Sequence, residues 1–448
     1  MGDRQLLMGW GRTSATLANV ESVGVDGLAT IELGNRGAIA RGLGRAYGDP
    51  AQNGGGTVIR LRPSANPVWI DTVGGTATVD AGVSFDELLR RIVPHGFFVP
   101  VTPGTRFITI GGAIASDVHG KGHHSDLTFG HHVRSLDIVL ADGSERTIGP
   151  DTEADLFWAT VGGMGLTGVI TRATFNLLRI ETNRCLVETQ RLPDLDALIA
   201  AMSDGDADHR YSVAWVDLAT KGATVGRSIL ERGDHATLED LAEHAPKALR
   251  NPLGFAPGSL ASVPPVPNVM NRLAVRTFNE LWFRKAPKQH IGPPTLTGFF
   301  HPLDGIGDWN RFYGANGFLQ YQFVVPFQAV DTLRDVVDRV VGNGNASVIS
   351  VLKRFGAESG GFLSFPKPGW TLTFDLAAGT PGLGPFLAEL DQLIVDAGGR
   401  HYLAKDAHTT PDIIRTGYPR FDAWKAIRRN VDPDGRWASD QARRLDLL

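Results

Sequence analysis

Ala40-Arg41-Gly42-Leu43-Gly44-Arg45-Ala46-Tyr47-Gly48-Asp49 is the first of two stretches that decide the reading of this chain. The second runs from Pro103-Gly104-Thr105-Arg106 through Ile110-Gly111-Gly112-Ala113-Ile114-Ala115 to Asp117-Val118-His119-Gly120-Lys121. Glycine at this density, interrupted by Thr, Arg and His, suits a backbone that approaches a polyanion closely. Without side chains, N–H groups can turn toward phosphate oxygens, and positive φ costs glycine little. A diphosphate-bearing cofactor held under two loops is the first expectation. A third loop, Gly162-Gly163-Met164-Gly165-Leu166-Thr167-Gly168, and Asn53-Gly54-Gly55-Gly56 beside the first make the set more specific than any one member. Gly42–Gly48 alone is a weak signal, and no dinucleotide fingerprint follows it, which disfavours a nicotinamide βαβ site.

Around these loops the 448 residues suffice for two domains with their own cores. A net charge of −4 argues against broad nucleic-acid binding, so no nucleic-acid partner is expected. No run of eighteen apolar residues occurs, and Met1-Gly2-Asp3-Arg4-Gln5 leads into no secretory h-region. The one cysteine, Cys185, excludes an intrachain disulfide and a thiolate-rich metal site.

Strands are expected at 57–61, 68–71, 76–81 and 169–178, with a hairpin around Asp142-Gly143-Ser144. Ser84-Phe85-Asp86-Glu87 predicts a capping box opening a helix with Leu88, Leu89, Ile92 and Val93 inside. A short helix begins near Thr109, and 155–160 is helical. Strands come in runs with helices inserted, which is α+β logic rather than a doubly wound fold. After about residue 182 glycine thins, and strands at 211–218, 318–325, 347–352 and 370–376 alternate with helices at 329–341 and 383–397. This predicts an inserted antiparallel sheet with helices on one face. Residues 251–290, with Pro252, Pro257, Pro264, Pro265 and Pro267, are expected to form long loops, a candidate lid.

His119, His123, His124, His131 and His132 invite a metal reading, but no His-Glu-x-x-His pattern accompanies them. The expectation is no metal, with His119 and Lys121 at a cofactor edge and the other histidines on loop carbonyls or solvent. On the strand around Gln320-Tyr321-Gln322-Phe323, alternation puts Gln320 and Gln322 on one face and Tyr321 on the other. Lys353 ends a strand and Lys405 follows Leu403-Ala404; residue pattern alone leaves both open between site and surface.

Taken in order, Gly-Leu-Gly-Arg-x-Tyr-Gly-Asp, Pro-Gly-Thr-Arg, Gly-Gly-Ala-Ile-Ala, His-Gly-Lys-x-His-His and Gly-Leu-Thr-Gly resemble the flavin domain of the vanillyl-alcohol oxidase superfamily. Gly9-Trp10-Gly11-Arg12-Thr13, Phe318–Phe323 and Ala438–Leu445 extend the resemblance to the decaprenylphosphoryl-ribose 2-oxidase family. It implies an α+β two-domain fold: an FAD-binding domain from 1–182 completed by 400–448, around a substrate domain at 183–399. It implies FAD held by Gly42, Leu43, Gly44, Arg45, Ala46 and Tyr47 in the first loop. Pro103, Gly104, Thr105, Thr109, Gly111, Gly112, Ser116, Asp117, His119 and Gly120 would hold it from the second. Gly165, Thr167, Gly168, Ile170 and Tyr402 would complete the contacts. Arg45-Ala46-Tyr47 stands where covalent-flavin relatives often carry His or Cys, so FAD is expected to be noncovalent.

The same resemblance implies Lys405, Gln322, His119 and Tyr47 as catalytic residues, with Lys121, Trp215, Tyr313, Gln320, Lys353 and Thr373 joining Gln322 and Lys405 around the substrate. The implied activity is oxidation of the C2′ hydroxyl of decaprenylphosphoryl-β-D-ribose to a 2-keto intermediate, the first half of an epimerisation for cell-wall arabinan. The implied partners are the lipid-linked sugar phosphate and an NADH-dependent short-chain reductase, at a peripheral membrane position in the cell envelope. The alternatives are a related FAD oxidase of a free polyol or sugar lactone, a flavin binder without turnover, and a histidine metal module. Thr373 stands where inhibitor-sensitive members carry cysteine, Val213 where a small polar residue is expected, and Met164 where Asn is expected.

Overall fold

β-Branched and aromatic runs form the strands of three main sheets in a computed structural model that describes residues 3–31, 34–258, 261–344 and 347–448. The N-terminal part builds a mixed four-stranded sheet in the order Asp3–Met8, Ala15–Val23, Thr57–Leu61, Ala38–Ala40. Beside it lies a five-stranded antiparallel sheet in the order Val68–Asp71, Thr76–Asp80, Val169–Asn176, Val133–Val139, Glu145–Ile148. The third system is an eight-stranded antiparallel sheet. Its order is Gln289–Gly292, Cys185–Leu192, Ser228–His235, Tyr211–Val216, Ser350–Phe355, Gly369–Ala377, Phe318–Val325, Arg400–His401. The fold is α+β.

The large sheet has two unlike faces, and that asymmetry positions the site. Tyr321, Phe323, Val325, Leu352, Leu372 and Phe374 point to one side, against Leu333, Val336 and Val340 of the helix Val330–Asn343 and Leu387, Leu390 and Ile394 of Leu383–Asp396. Each such buried side chain contributes about 1.5–3 kcal/mol relative to exposure. The alternate positions point to the other side. Register sets Gln320 opposite Asp375, Gln322 opposite Thr373, Thr373 opposite Val351, Lys353 opposite Thr371, Trp215 opposite Val351 and Val213 opposite Glu231. Directly paired residues share a face, so one side of the sheet gathers amides, hydroxyls, carboxylates and a lysine.

The C-terminal segment returns to the N-terminal part. Ala438 N–H bonds the Ala38 carbonyl, Asp440 accepts from Thr16 and Gly54, and Arg443 donates to Asn53. Arg444 bridges Asp49 and Asp406 at 2.7 Å each.

Three sequence expectations need correction. Residues 251–290 are not loop throughout: Arg272–Lys285 is a fourteen-residue helix and Gln289–Gly292 a strand. Every proline of that region lies before residue 268 or at 287, and Asn271 caps the helix by accepting from Ala274 N–H. The strand expected at 347–352 is Ser350–Phe355, because the Ser347 hydroxyl bonds the Ile349 carbonyl and receives Asp375 N–H, holding 347–349 as a turn. Lys353 therefore sits within the strand instead of closing it. Only half of the Ser84 capping box forms: Ser84 accepts from Glu87 N–H, while the Glu87 carboxylate pairs with Arg91.

Candidate active site

The two glycine stretches meet. A Cβ on Gly42 would lie 2.2 Å from Thr109 Oγ1, and Thr109 itself caps the helix Ile110–Ala115 by accepting from Gly112 N–H. The far end of the first loop docks on the C-terminal segment. Tyr47 N–H bonds the Ala404 carbonyl, and Gly48 leaves no room for a side chain against the Asp406 carbonyl. Arg45 stacks its guanidinium 3.9 Å over Trp10, and its buried Nε has no partner among the described residues.

Over this seam stands the polar face of the large sheet. Lys405 places Nζ 3.6 Å above the Tyr47 ring. Burial pushes its ammonium down to about 7, Asp375 opposing this and Lys353 adding to it. Asp375 receives Gln320 Nε2 at 2.7 Å and the Tyr313 hydroxyl at 3.0 Å. Burial raises its carboxyl to about 7, while the Gln320 and Tyr313 hydrogen bonds and Lys405 pull it back. Gln322 Nε2 donates to His119 Nε2 at 3.0 Å and reaches Thr371 Oγ1 at 3.3 Å. His119 is enclosed by the rings of Phe355, Phe365 and Tyr402. Burial, then Lys353 and His123, drives its imidazole well below the usual range, so it is neutral. Burial likewise raises the Tyr47 phenol, which stays protonated.

Two more cations complete the arrangement. Burial lowers Lys353 to about 8, helped by Lys121. Lys121 sits 3.8 Å over the Phe299 ring and 3.3 Å from Glu231, which opposes the lowering that burial imposes on it. Lys121, Lys353 and Lys405 thus influence one another in sequence, against Glu231 and Asp375.

Several expected contact residues are spent on the protein itself. Asp117 is fully buried, its carboxylate accepting from Gly130 N–H and the hydroxyls of Ser359 and Ser364 and its N–H given to the Ile114 carbonyl, so neither is left for a ligand. Thr105 Oγ1 is given to Asp304 at 2.6 Å, and Thr167 Oγ1 lies 2.9 Å from Thr160 Oγ1. The Tyr402 hydroxyl holds the Ser116 carbonyl, Ile170 is core, and Trp215 donates to the Val348 carbonyl. Gly168 and Gly120 are small because carbonyls of Val139 and Thr102 crowd them. Gly104 and Gly112 stay exposed, as does Leu43. Pro103, Gly44, Ala46, Gly111 and Gly165 are partly exposed, with Gly44 and Gly165 at positive φ. Met164, where the resemblance leads one to expect Asn, also has a left-handed φ of 55°, a conformation Asn adopts more readily than Met. Val213 pairs with Glu231 on the polar face.

The histidines are used singly. His124 Nε2 donates to the His209 carbonyl, His132 Nε2 to the Asp126 carbonyl, and His123 Nδ1 accepts from Gly356 N–H. Asp375 was not among the residues singled out from sequence; its signal is a carboxylate in register with Thr371 and Thr373 on an otherwise apolar strand.

Residues 34–149 match the model of an FAD binding domain, and residues 376–445 match that of D-arabinono-1,4-lactone oxidase. The chain is 46% identical to the decaprenylphosphoryl-beta-D-ribose oxidase of Mycolicibacterium smegmatis, across 99% of this chain and 97% of that protein. It belongs to the decaprenylphosphoryl-ribose oxidase family. The chain is a flavoprotein oxidoreductase acting on CH–OH groups, with FAD as its cofactor. More distant similarity extends to the alditol oxidase of a Streptomyces species, at 24% identity over 92% of this chain and 91% of that protein. The residues present fit a flavin. Arg45 Nε and His119 Nδ1 are buried polar atoms without partners among the described residues, and the lysines outnumber their carboxylates where an anion is needed.

Proposed function

We propose that this oxidase acts on the C2′ hydroxyl of decaprenylphosphoryl-β-D-ribose and yields the 2-keto sugar, with the lipid phosphate held by the lysines. The observation that carries the reading is the convergence of Lys405, Gln322, His119 and Tyr47 on one seam, with Lys353 and Lys121 beside it. Bound FAD, held noncovalently by the first and second loops, supplies the hydride acceptor. The Lys405 ammonium would hydrogen-bond the sugar hydroxyl oxygen and stabilise the negative charge that hydride brings to the flavin, the hydroxyl proton being released to solvent. Gln322, fixed by His119, orients the carbinol; neutral His119 presents its free Nδ1 at the same seam. Gln320 and Tyr313 hold Asp375, which opposes the loss of charge that burial imposes on Lys405; Trp215 and Thr373 shape the sugar pocket. Residues 1–182 with 400–448 form the flavin domain in this reading, and 183–399 the substrate domain. A short-chain NADH-dependent reductase then completes the epimerisation, the oxidase working as a peripheral protein at the cell envelope.

Anaerobic mixing with polyprenylphosphoryl ribose bleaches the flavin in this reading, whereas free alditols and sugar lactones do not. Lys405→Ala retains FAD and loses that bleaching by at least about a hundredfold. Equal bleaching by a free alditol, or a normal rate in the variant, overturns the assignment. Yellow colour retained in acid-precipitated protein would refute noncovalent binding.

A further inference from the structure

The helix Arg272–Lys285 carries its hydrophobic residues on the wrong side for a core element. Val275 and Asn279 face inward, Asn279 bonding Asp217 at 2.8 Å and the Ser347 carbonyl at 3.1 Å. This pins the helix, and Phe278, Leu281 and Trp282 then face solvent at 46%, 64% and 45% exposure, Phe278 and Trp282 stacked at 6.0 Å. Isolated exposed apolar residues mean little, but three within five positions on one pinned helix form a surface.

The charge around them is one-sided. The helix holds Arg272, Arg276, Arg284 and Lys285 against Glu280 alone, and Glu280 is bound by Arg227 and Arg284. Arg276, Lys285 and the following Lys288 have no carboxylate partner among the described residues. The chain as a whole is acidic, at −4, so this cationic rim is local. Aromatic and leucine side chains bordered by arginine and lysine are the composition of a helix that lies in a bilayer interface with anionic headgroups.

The helix leads in sequence to a cavity that shares Glu231 with the site. Three residues beyond the helix, the strand Gln289–Gly292 begins. His290 and Gly292 of that strand line a cavity of about 400 Å³ with Thr189 and Glu231, and Glu231 is the partner of Lys121.

We propose that Phe278, Leu281 and Trp282 dock on an anionic bilayer, with Lys285 and Lys288 on its phosphates, so that a lipid-linked substrate passes from the membrane into the nearby cavity. The passage rests on the proposed substrate; the docking does not. The test is co-sedimentation of FAD-loaded full chain with vesicles of phosphatidylcholine alone or with one-quarter phosphatidylglycerol. Binding is expected on the anionic vesicles, weakened by salt and by removal of phosphatidylglycerol. Phe278→Ser with Leu281→Ser reduces it at least about tenfold, as loss of two inserted apolar side chains implies. Lys285→Glu with Lys288→Glu abolishes the lipid preference. Flavin absorbance, thermal midpoint and turnover of a short-chain, detergent-soluble substrate remain those of the parent. Vesicle binding that is absent in the parent, or unchanged in both variants, overturns the proposal. So does light scattering that shows the face pairing two copies of the chain without binding vesicles. Should short-chain polyprenylphosphoryl ribose fail to bleach the flavin while vesicle binding persists, the substrate assignment falls and the docking face stands.

Discussion

At Lys405 and Asp375 two buried groups of opposite sign hold each other's charge near neutrality. Burial alone would discharge both, and each counters that effect on the other. If the Lys405 ammonium is the working form, flavin reduction falls as pH rises through about 7, where Lys405 deprotonates. Asp375→Asn removes the charge that raises the Lys405 pKa, so the alkaline fall moves to lower pH. The rate at neutral pH drops by about tenfold or more. Stopped-flow bleaching against pH reads this; an unshifted profile shows that Asp375 only packs. Thr373 makes a separate prediction. Nitroaromatic inhibitors that trap a thiol form no adduct with this chain, and Thr373→Cys, in register with Gln322, restores one by mass spectrometry. The alternation of Gln320 and Gln322 was legible because a strand's period is two. Asp375 was not, because what makes it reactive is its contact with Tyr313 and Gln320, residues of other segments.

At the scale of elements, the glycine loops owe their composition to close approach. Gly42 abuts Thr109, so Gly42→Ala forces apart the first loop and the helix that Thr109 caps. Weaker FAD retention is expected, by about tenfold or more on loss of a cradle this tightly packed, with secondary structure intact by circular dichroism. An unchanged flavin affinity would mean the seam does not shape the cradle. The helix Arg272–Lys285 shows what pattern reading missed. The proline cluster before it suggested loop throughout, yet Asn271 and Pro287 bracket a proline-free segment, which is a helix signal. Its exposed apolar stripe blurs the usual inward periodicity, because the face that packs holds an asparagine.

Across the whole molecule, burial of neutral histidines couples folding to pH. His123, His235 and His301 are each held near 3 by burial, and His119 well below its usual value. Between about 6.5 and 3 the unfolded chain binds protons at these sites and the native chain does not. Stability therefore rises with pH across that window and is lost on acidification, by up to about 1.4 kcal/mol per pH unit for each histidine. The expected outcome is a thermal midpoint that falls steadily from pH 7 to 5, with proton uptake on unfolding measured by calorimetry in buffers of different ionisation enthalpy. A flat midpoint over that range contradicts it. His301 meets Thr102 at 2.8 Å, and Arg106 bridges Asp86 and Asp304, so these groups tie the second loop to the segment around 301–304.

Local rules were enough for the glycine loops, the strand periods, the helix start near Thr109 and the α+β class, since each depends on backbone preference or a short-range side-chain bond. Packing alone decided which of those pieces touch. The sheet register set Asp375 beside Gln320, the return of the C-terminal segment put Lys405 over Tyr47, and the inward asparagine turned Phe278, Leu281 and Trp282 outward. These contacts join residues tens to hundreds of positions apart, and no local preference encodes a partner at that distance.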